Sequence, residues 1–153
     1  MGGLGDLRQS LAAADLIALD TMVFSYHLAN HPRYTSLTTM ILDAVESGQP
    51  AGLTTTITLA EILTVPAKAG DRGALQDYEI YLTRFPNLEV VSLDTSLVRE
   101  TALVRAATGL RTPDAVQIAA ACLAGADTIV TNDPRWAGRV TAPALLMLDD
   151  YLD

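Results

Sequence analysis

Residues 111–134, RTPDAVQIAAACLAGADTIVTNDP, decide the fold. Thr112 is a capping residue with Pro113 at the first helical position behind it, and the apolar AVQIAAACLA pattern stops at Gly125. Thr128–Thr131 follows as a short strand that ends on Asn132 and Asp133. The same helix–strand alternation recurs on the N-terminal side. Leu16–Leu19 is a continuous apolar run ending at Asp20, a buried-strand signature. A helix over Met22–Ala29 stops near His31-Pro32, and a second, Tyr34–Glu46, ends at Gly48. Leu53–Thr56 is the next strand, followed by a helix from about Thr58 to Lys68 that Pro66 bends or ends early. Ala74–Phe85 is helical, Leu88–Leu93 is the third strand, and Asp94 caps a helix running to Thr108 before Gly109. Ala144–Leu148 closes the series as a fifth strand. Such alternation implies right-handed parallel crossovers: an α/β fold, a three-layer α/β/α sandwich around a central, mainly parallel five-stranded sheet.

The 153 residues, half of them hydrophobic, suit one domain with a single sizeable core. We read residues 1–15 as a flexible lead-in able to dock as a short helix, and 16–153 as the domain. No apolar run of membrane-spanning length occurs, and the N-terminus, with Asp6 ahead of Arg8, is neither a secretory signal nor a myristoylation site. The single Cys122 forms no intrachain disulfide, which fits a reducing cytoplasm. A net charge of −8 argues against a broad basic surface for nucleic acid. Nine of the ten basic residues are Arg, however, and a few Arg side chains suffice to guide a phosphate backbone.

Four of the eighteen acids, Asp20, Glu61, Asp114 and Asp133, sit where an apolar segment meets Thr, Asn or Pro. Ligands of open parallel sheets bind beyond the carboxyl ends of the strands. Asp20 and Asp133 directly follow strands one and four, Asp114 opens a helix, and Glu61 lies in the first turn of another, so all four can reach one edge. Each has an ordinary explanation. Asp20, Asp114 and Asp133 suit helix starts, and Thr58-x-x-Glu61 matches a capping box. Together they need more. Two carboxylates ~5 Å apart repel by roughly 3 kcal/mol at an effective dielectric near 20. A cation would relieve them, and hard carboxylate oxygens without converging His or Cys select Mg²⁺ or Mn²⁺.

Asp20-Thr21, Glu61 after a Thr-rich strand end, Arg111-Thr112-Pro113-Asp114-Ala115 and Thr131-Asn132-Asp133 resemble, in order and context, the PIN domain, a family that includes the VapC-type toxin ribonucleases. The likeness runs from about Leu16 to Leu148. It implies a Mg²⁺- or Mn²⁺-dependent endoribonuclease acting on RNA, with Asp20, Glu61 and Asp114 as principal acids and Asp133 as the more variable fourth. Asp20, Asp114 and Asp133 would hold the metal, with Glu61 orienting the attacking water. Thr21, Thr131 and Asn132 would support the acids, and Arg111 and Arg135 are placed for RNA phosphates, with Arg139 a looser candidate. Family precedent adds an antitoxin protein, as in type II toxin–antitoxin pairs, and a homodimer. Where the family often has Asn or Ser, this chain has Met22.

An apolar groove for such a partner would draw on Tyr26, Leu28, Tyr34, Leu37, Met40, Ile41, Tyr78, Tyr81 and Leu82, although most of these suit a core. His27 and His31, spaced i,i+4, lack a third ligand for zinc. Trp136 is expected in the core, and Asp149-Asp150 in a solvated end. Two other classes compete: a catalytically idle PIN module that binds RNA or protein, and a receiver-like, Mg²⁺-binding phosphoacceptor domain. The receiver needs an acidic pair near strand one and a late Lys; Asp20 has no acidic neighbour, and Lys68 is misplaced.

Overall fold

The computed structural model describes residues 2–153. The chain runs α1 (Leu4–Ala12), β1 (Leu16–Leu19), α2 (Thr21–Leu28), α3 (Thr35–Ser47), β2 (Ala51–Thr55), α4 (Thr56–Lys68), α5 (Arg72–Thr83), β3 (Leu88–Val91), α6 (Thr95–Thr108), α7 (Thr112–Ala124), β4 (Thr128–Thr131) and β5 (Ala144–Met147). Short 3₁₀ turns at Pro134–Trp136 and Leu148–Tyr151 follow the last two strands. The five strands order as β3-β2-β1-β4-β5 and every neighbouring pair is parallel. The three-layer α/β expectation is met.

Chain order explains where a ligand can sit. From β1 the chain winds outward through β2 to β3, then crosses back to place β4 on the other side of β1. The crossovers on either side of β1 thus diverge at the β1/β4 boundary, and beyond the carboxyl ends of those two strands a crevice opens. Ala18 pairs with Ile129 and Leu19 with Val130, so Asp20 leaves the sheet level with Thr131.

The sheet separates two apolar layers. Phe24, Leu37, Ile41, Val45 and Leu82 pack on one face with Ile17 and Leu19. Leu97, the alanine-rich face of α7 and Trp136 fill the other with Ala18, Leu53 and Ile129. The first fifteen residues, apart from Met1 which lies outside the described residues, carry α1, and its Leu7 and Leu11 join the first layer. Trp136 is fully buried as expected, and its Nε1 is the one buried side-chain polar atom without a partner among the described residues.

Several boundaries differ from the sequence reading. Thr55, the last residue of β2, caps α4 by accepting from the Ile57 backbone N–H. That starts α4 earlier than expected and moves Glu61 from the first turn to the second. Pro66 does not end the helix, which continues to Lys68 with the proline buried. Helix α7 begins at Thr112 itself, with Arg111 in the cap position and no side-chain cap bond. Asp149 and Asp150 are exposed as expected, but Asp149 is also engaged in hydrogen bonds. It accepts from the Tyr34 hydroxyl at 2.6 Å, and its backbone N–H donates to Asn132 Oδ1 at 2.9 Å.

Candidate acidic site

An open cleft of about 420 Å³ lies beyond the carboxyl ends of β1 and β4, lined by Asp20, Thr21, Met22, Ser25, Glu61, Arg111, Pro113, Asp114, Asp133 and Arg135. The four sequence-selected carboxylates therefore meet in one place, each delivered by a different element. Asp20 leaves β1 in extended conformation and caps α2, its Oδ1 accepting from the Thr21 N–H at 2.8 Å. Its Oδ2 accepts from the Thr131 hydroxyl at 2.8 Å, so the last residue of β4 fixes the rotamer. Asp114 sits in the first turn of α7, where the helix dipole favours a negative charge. Asp133 caps the 3₁₀ turn by accepting from the Arg135 N–H at 2.9 Å.

Glu61 separates the two explanations left open by sequence. A capping box would fold it back onto the start of its own helix. Its Oε1 instead accepts from the Thr21 hydroxyl at 2.8 Å, across the cleft on α2. Thr21 and Thr131 thus each donate a hydrogen bond to one of the carboxylates. Asn132 does not touch any of the four acids; both ends of its amide engage Asp149. It anchors the C-terminal 3₁₀ turn beside the site rather than the acids themselves. Met22 brings its sulfur to 4.0 Å from the Thr131 hydroxyl, and the support of Asp20 comes from Thr131 and the α2 backbone instead.

The electrostatics are divided. Burial pushes Asp20 up to about 6, despite the hydrogen bonds from Thr131 and Thr21, and the nearby charges of Asp114 and Glu61 add to the rise. Asp133 moves the other way, held below the usual carboxylate range by its hydrogen bonds from Arg135. Arg135 Nε donates to both carboxylate oxygens of Asp133 at 3.0 and 3.1 Å, and its Nη2 lies 3.5 Å from Asp114 Oδ2. One guanidinium thus bridges two of the four acids, and Arg111 adds a second positive charge felt by Asp133. Arg139 does not line the cleft.

Among the described residues, no three His, Cys, Asp or Glu side chains converge closely enough to hold an ion as they stand. His27 is engaged with Thr38 and His31 with the Arg33 N–H, so the i,i+4 pair has separate structural tasks. The donor set at the cleft nevertheless fits a divalent cation. It is all hard oxygen, Asp20 carries repulsion from Asp114 and Glu61 without a salt bridge of its own among the described residues, and a cation already bridges Asp133 and Asp114 in the form of Arg135. Asp20, Glu61, Asp114 and Asp133 are the residues that would hold it.

Sequence reasoning missed Gln117. It lies in the apolar AVQIAAA face of α7, yet its amide is buried among Thr55, Thr58 and Thr21 next to the cleft. A polar amide inside an otherwise apolar helical face is itself the signal, since burying it without partners costs about 1–3 kcal/mol.

The chain is thus an α/β domain with a parallel five-stranded sheet and an acidic, arginine-rimmed cleft at its switch point. The family model described as the PIN domain matches residues 17–140, and the chain belongs to that family. Solved structures with the same fold include a toxin–antitoxin complex from Klebsiella pneumoniae at 16% identity, with 86% of this chain and 97% of that one aligned and a TM-score of 0.63. VapBC2 from Rickettsia felis, bound to a DNA fragment from its promoter, aligns at 20% identity over 86% of this chain and 98% of that one, with a TM-score of 0.67. FitAcB from Neisseria gonorrhoeae aligns at 20% identity over 86% and 97%, with a TM-score of 0.64. At these identities the likeness is one of fold. No curated protein sequence matches significantly.

Proposed function

We propose that this chain is a metal-dependent endoribonuclease and the toxin of a type II toxin–antitoxin pair. The observation that carries the reading is the meeting of Asp20, Glu61, Asp114 and Asp133, from four separate elements, in one cleft at the sheet's switch point. Membership of the PIN family supports the nuclease class. A bound Mg²⁺ or Mn²⁺ would supply Lewis-acid polarisation of the phosphate and a more acidic water.

The chain's own residues account for the rest. Asp20, Asp114 and Asp133, with Glu61 beside them, would hold the cation, Asp20 from a rotamer locked by Thr131. Glu61, tethered by Thr21, orients the attacking water and takes up its proton. Water oxygen bonds to phosphorus as the bond to the 3′ oxygen breaks, leaving a 5′-phosphate and a 3′-hydroxyl. Arg111 and Arg135 at the rim meet the neighbouring phosphates; a bound cation would compete with Arg135 for Asp133 and Asp114.

The antitoxin partner is supported by the toxin–antitoxin and VapBC2 complexes among the structural relatives. A second, more apolar hollow of about 150 Å³, lined by Ser25, Leu28, Ala29, Glu61, Ile62, Val65 and Tyr78, shares Ser25 and Glu61 with the acidic cleft. Leu37, Ile41 and Leu82 of the expected groove belong to the core instead. A homodimer completes the reading, to be tested by sedimentation. Among the described residues no helix is long and apolar enough to cross a membrane.

The bridging of Asp133 and Asp114 by Arg135 is the one observation that favours a binding-only module, because it fills a cation's place. Cleavage of a mixed RNA substrate with Mn²⁺ added, compared between wild type and Asp20→Asn, decides between them. Cleavage that needs the metal and is lost in a folded Asp20→Asn supports the nuclease. No cleavage by the wild type, or full activity in the variant, refutes it.

A further inference from the structure

Behind the acidic cleft lies a connected set of side-chain hydrogen bonds that runs from β2 and α7 to Glu61. Thr54 Oγ1 donates to the Leu19 carbonyl at 2.8 Å. The same hydroxyl also lies within donating reach of Thr58 Oγ1, at 2.7 Å, so the Leu19 carbonyl and Thr58 share its hydrogen. Thr58 and Thr21, with oxygens 3.1 Å apart, are both served by Gln117 Nε2, at 2.7 and 3.3 Å. Thr55 accepts from the Ile57 N–H and donates to Gln117 Oε1 at 2.8 Å. The single hydrogen left on Thr21 goes to Glu61 Oε1, 2.8 Å away.

The orientation of the Gln117 amide decides this pattern. Reversed, its oxygen would face Thr58 and Thr21, and both hydroxyls would be drawn to donate to it. The amide oxygen would then compete with Glu61 for the Thr21 hydrogen. The observed orientation, in which Oε1 accepts from Thr55 at the end of β2, removes that competitor. Gln117 itself is 97% buried and belongs to α7, the helix that also carries Asp114, so the same element places one acid and restrains another.

We propose that Gln117 is a positioning residue. By donating to Thr58 and Thr21 it commits the Thr21 hydroxyl hydrogen to Glu61 and fixes that carboxylate at the cleft. The assignment rests on the nuclease reading for its consequence in catalysis, but its structural half does not.

The test is a double-mutant cycle between Gln117→Met, of similar size without donors, and Thr21→Val, with Thr21→Ser as the conservative control. Because Gln117→Met strands buried hydroxyls, thermal melts establish that each variant is folded; the Thr21 pair, at the half-buried rim, carries the test if Gln117→Met is not. At saturating Mn²⁺, kcat falls on the order of tenfold in Gln117→Met and in Thr21→Val, as expected for a residue that orients a metal-site carboxylate, with KM within about twofold. Thr21→Ser stays near wild type, and the pair is no worse than the worse single variant. Losses that multiply in the pair, a loss confined to KM, or an unchanged kcat in either single variant overturn the proposal. Mn²⁺ affinity by calorimetry is measured on the same four proteins. If the wild type binds Mn²⁺ but cleaves no RNA, the nuclease reading fails while the cycle is still decided: affinity lowered in both singles and no further in the pair supports Gln117, and additive or absent losses refute it. If the wild type neither cleaves nor binds Mn²⁺, both fall together.

Discussion

Asp20 has lost nearly all its water and faces two more carboxylates, and this has a sign in the pH dependence of stability. Its folded-state value, about 6, lies above the 3.8 of an ordinary aspartate, so between these values the folded chain binds the extra proton. Stability from this group is greatest at low pH and falls as pH rises through 6. From pH 5 to 7.5 the loss is about 1.4 kcal/mol, a few degrees in Tm for a chain of this size. Asp133, held low, contributes its own pH dependence only on the acid side of this window. Without added cation, wild type should therefore melt lower at pH 7.5 than at pH 5, and Asp20→Asn should remove most of that difference. Mn²⁺ at pH 7.5 should raise the wild-type Tm and leave the variant's unchanged. A wild-type Tm that is flat or rising over pH 5–7.5 would contradict the assignment. The carboxylates themselves were legible because each sits where an apolar segment meets Thr, Asn or Pro. Their supports were less so. Asp149 was unreadable because its partner Tyr34 lies 115 residues away, and Gln117 was hidden by alanines that make its helix face look uniformly apolar.

Elements were legible where one chemistry dominated and misplaced where two competed. The apolar run Leu16–Leu19 and the strand Thr128–Thr131 fall where expected, and Gly48, Gly109 and Gly125 end helices in left-handed conformation. The run Thr54–Thr58, TTTIT, offers several equivalent caps, and pairing with β3 ends at Thr55, one residue before the expected strand end, so Thr55 serves as both last strand residue and helix cap. That single choice turns Thr58 inward toward Gln117 and sets Glu61 one turn deeper. Tertiary packing also makes a demand at Gly52, in the middle of β2. A Cβ there would lie 2.9 Å from Val45 Cγ1 and 3.2 Å from Leu88 Cδ1, both buried. Valine has little rotamer freedom with which to give way. Gly52→Ala should cost about 1–3 kcal/mol by overpacking, read as a lower urea midpoint with an unchanged m-value. Since Thr55 closes the far end of the strand and Glu61 lies beyond it, RNA cleavage well below the melting temperature should be retained. An unchanged midpoint would mean that α3 shifts freely on the sheet.

At the scale of the whole molecule, a chain of net charge −8 is proposed to act on a polyanion. Long-range attraction cannot supply the encounter, because the average field repels RNA. What remains is local: Arg111 and Arg135 line the cleft, the latter half exposed along its side chain, and they stand beside the very acids that a cation would neutralise. This geometry limits the number of phosphates that can be neutralised at once to about two, so log K against log salt for single-stranded RNA should have a slope near −1.4. The free chain pairs Arg135 with Asp133 and Asp114, so RNA and metal binding should be coupled: Mn²⁺ draws the carboxylates to itself and frees the guanidinium for phosphate. RNA affinity measured with Asp20→Asn, to suppress cleavage, would lose the metal as well. The measurement is therefore made on wild type with a non-cleavable RNA, with and without Mn²⁺. Arg135→Gln should reduce the slope by about 0.7 and abolish most of the gain from Mn²⁺, while Arg111→Gln should reduce the slope by a similar amount and leave the gain in place. A wild-type slope much steeper than −1.4 would mean that basic residues outside the cleft carry the RNA. An Arg135→Gln protein that still binds RNA more tightly with Mn²⁺ would separate the two events and leave Arg135 as no more than a partner for Asp133.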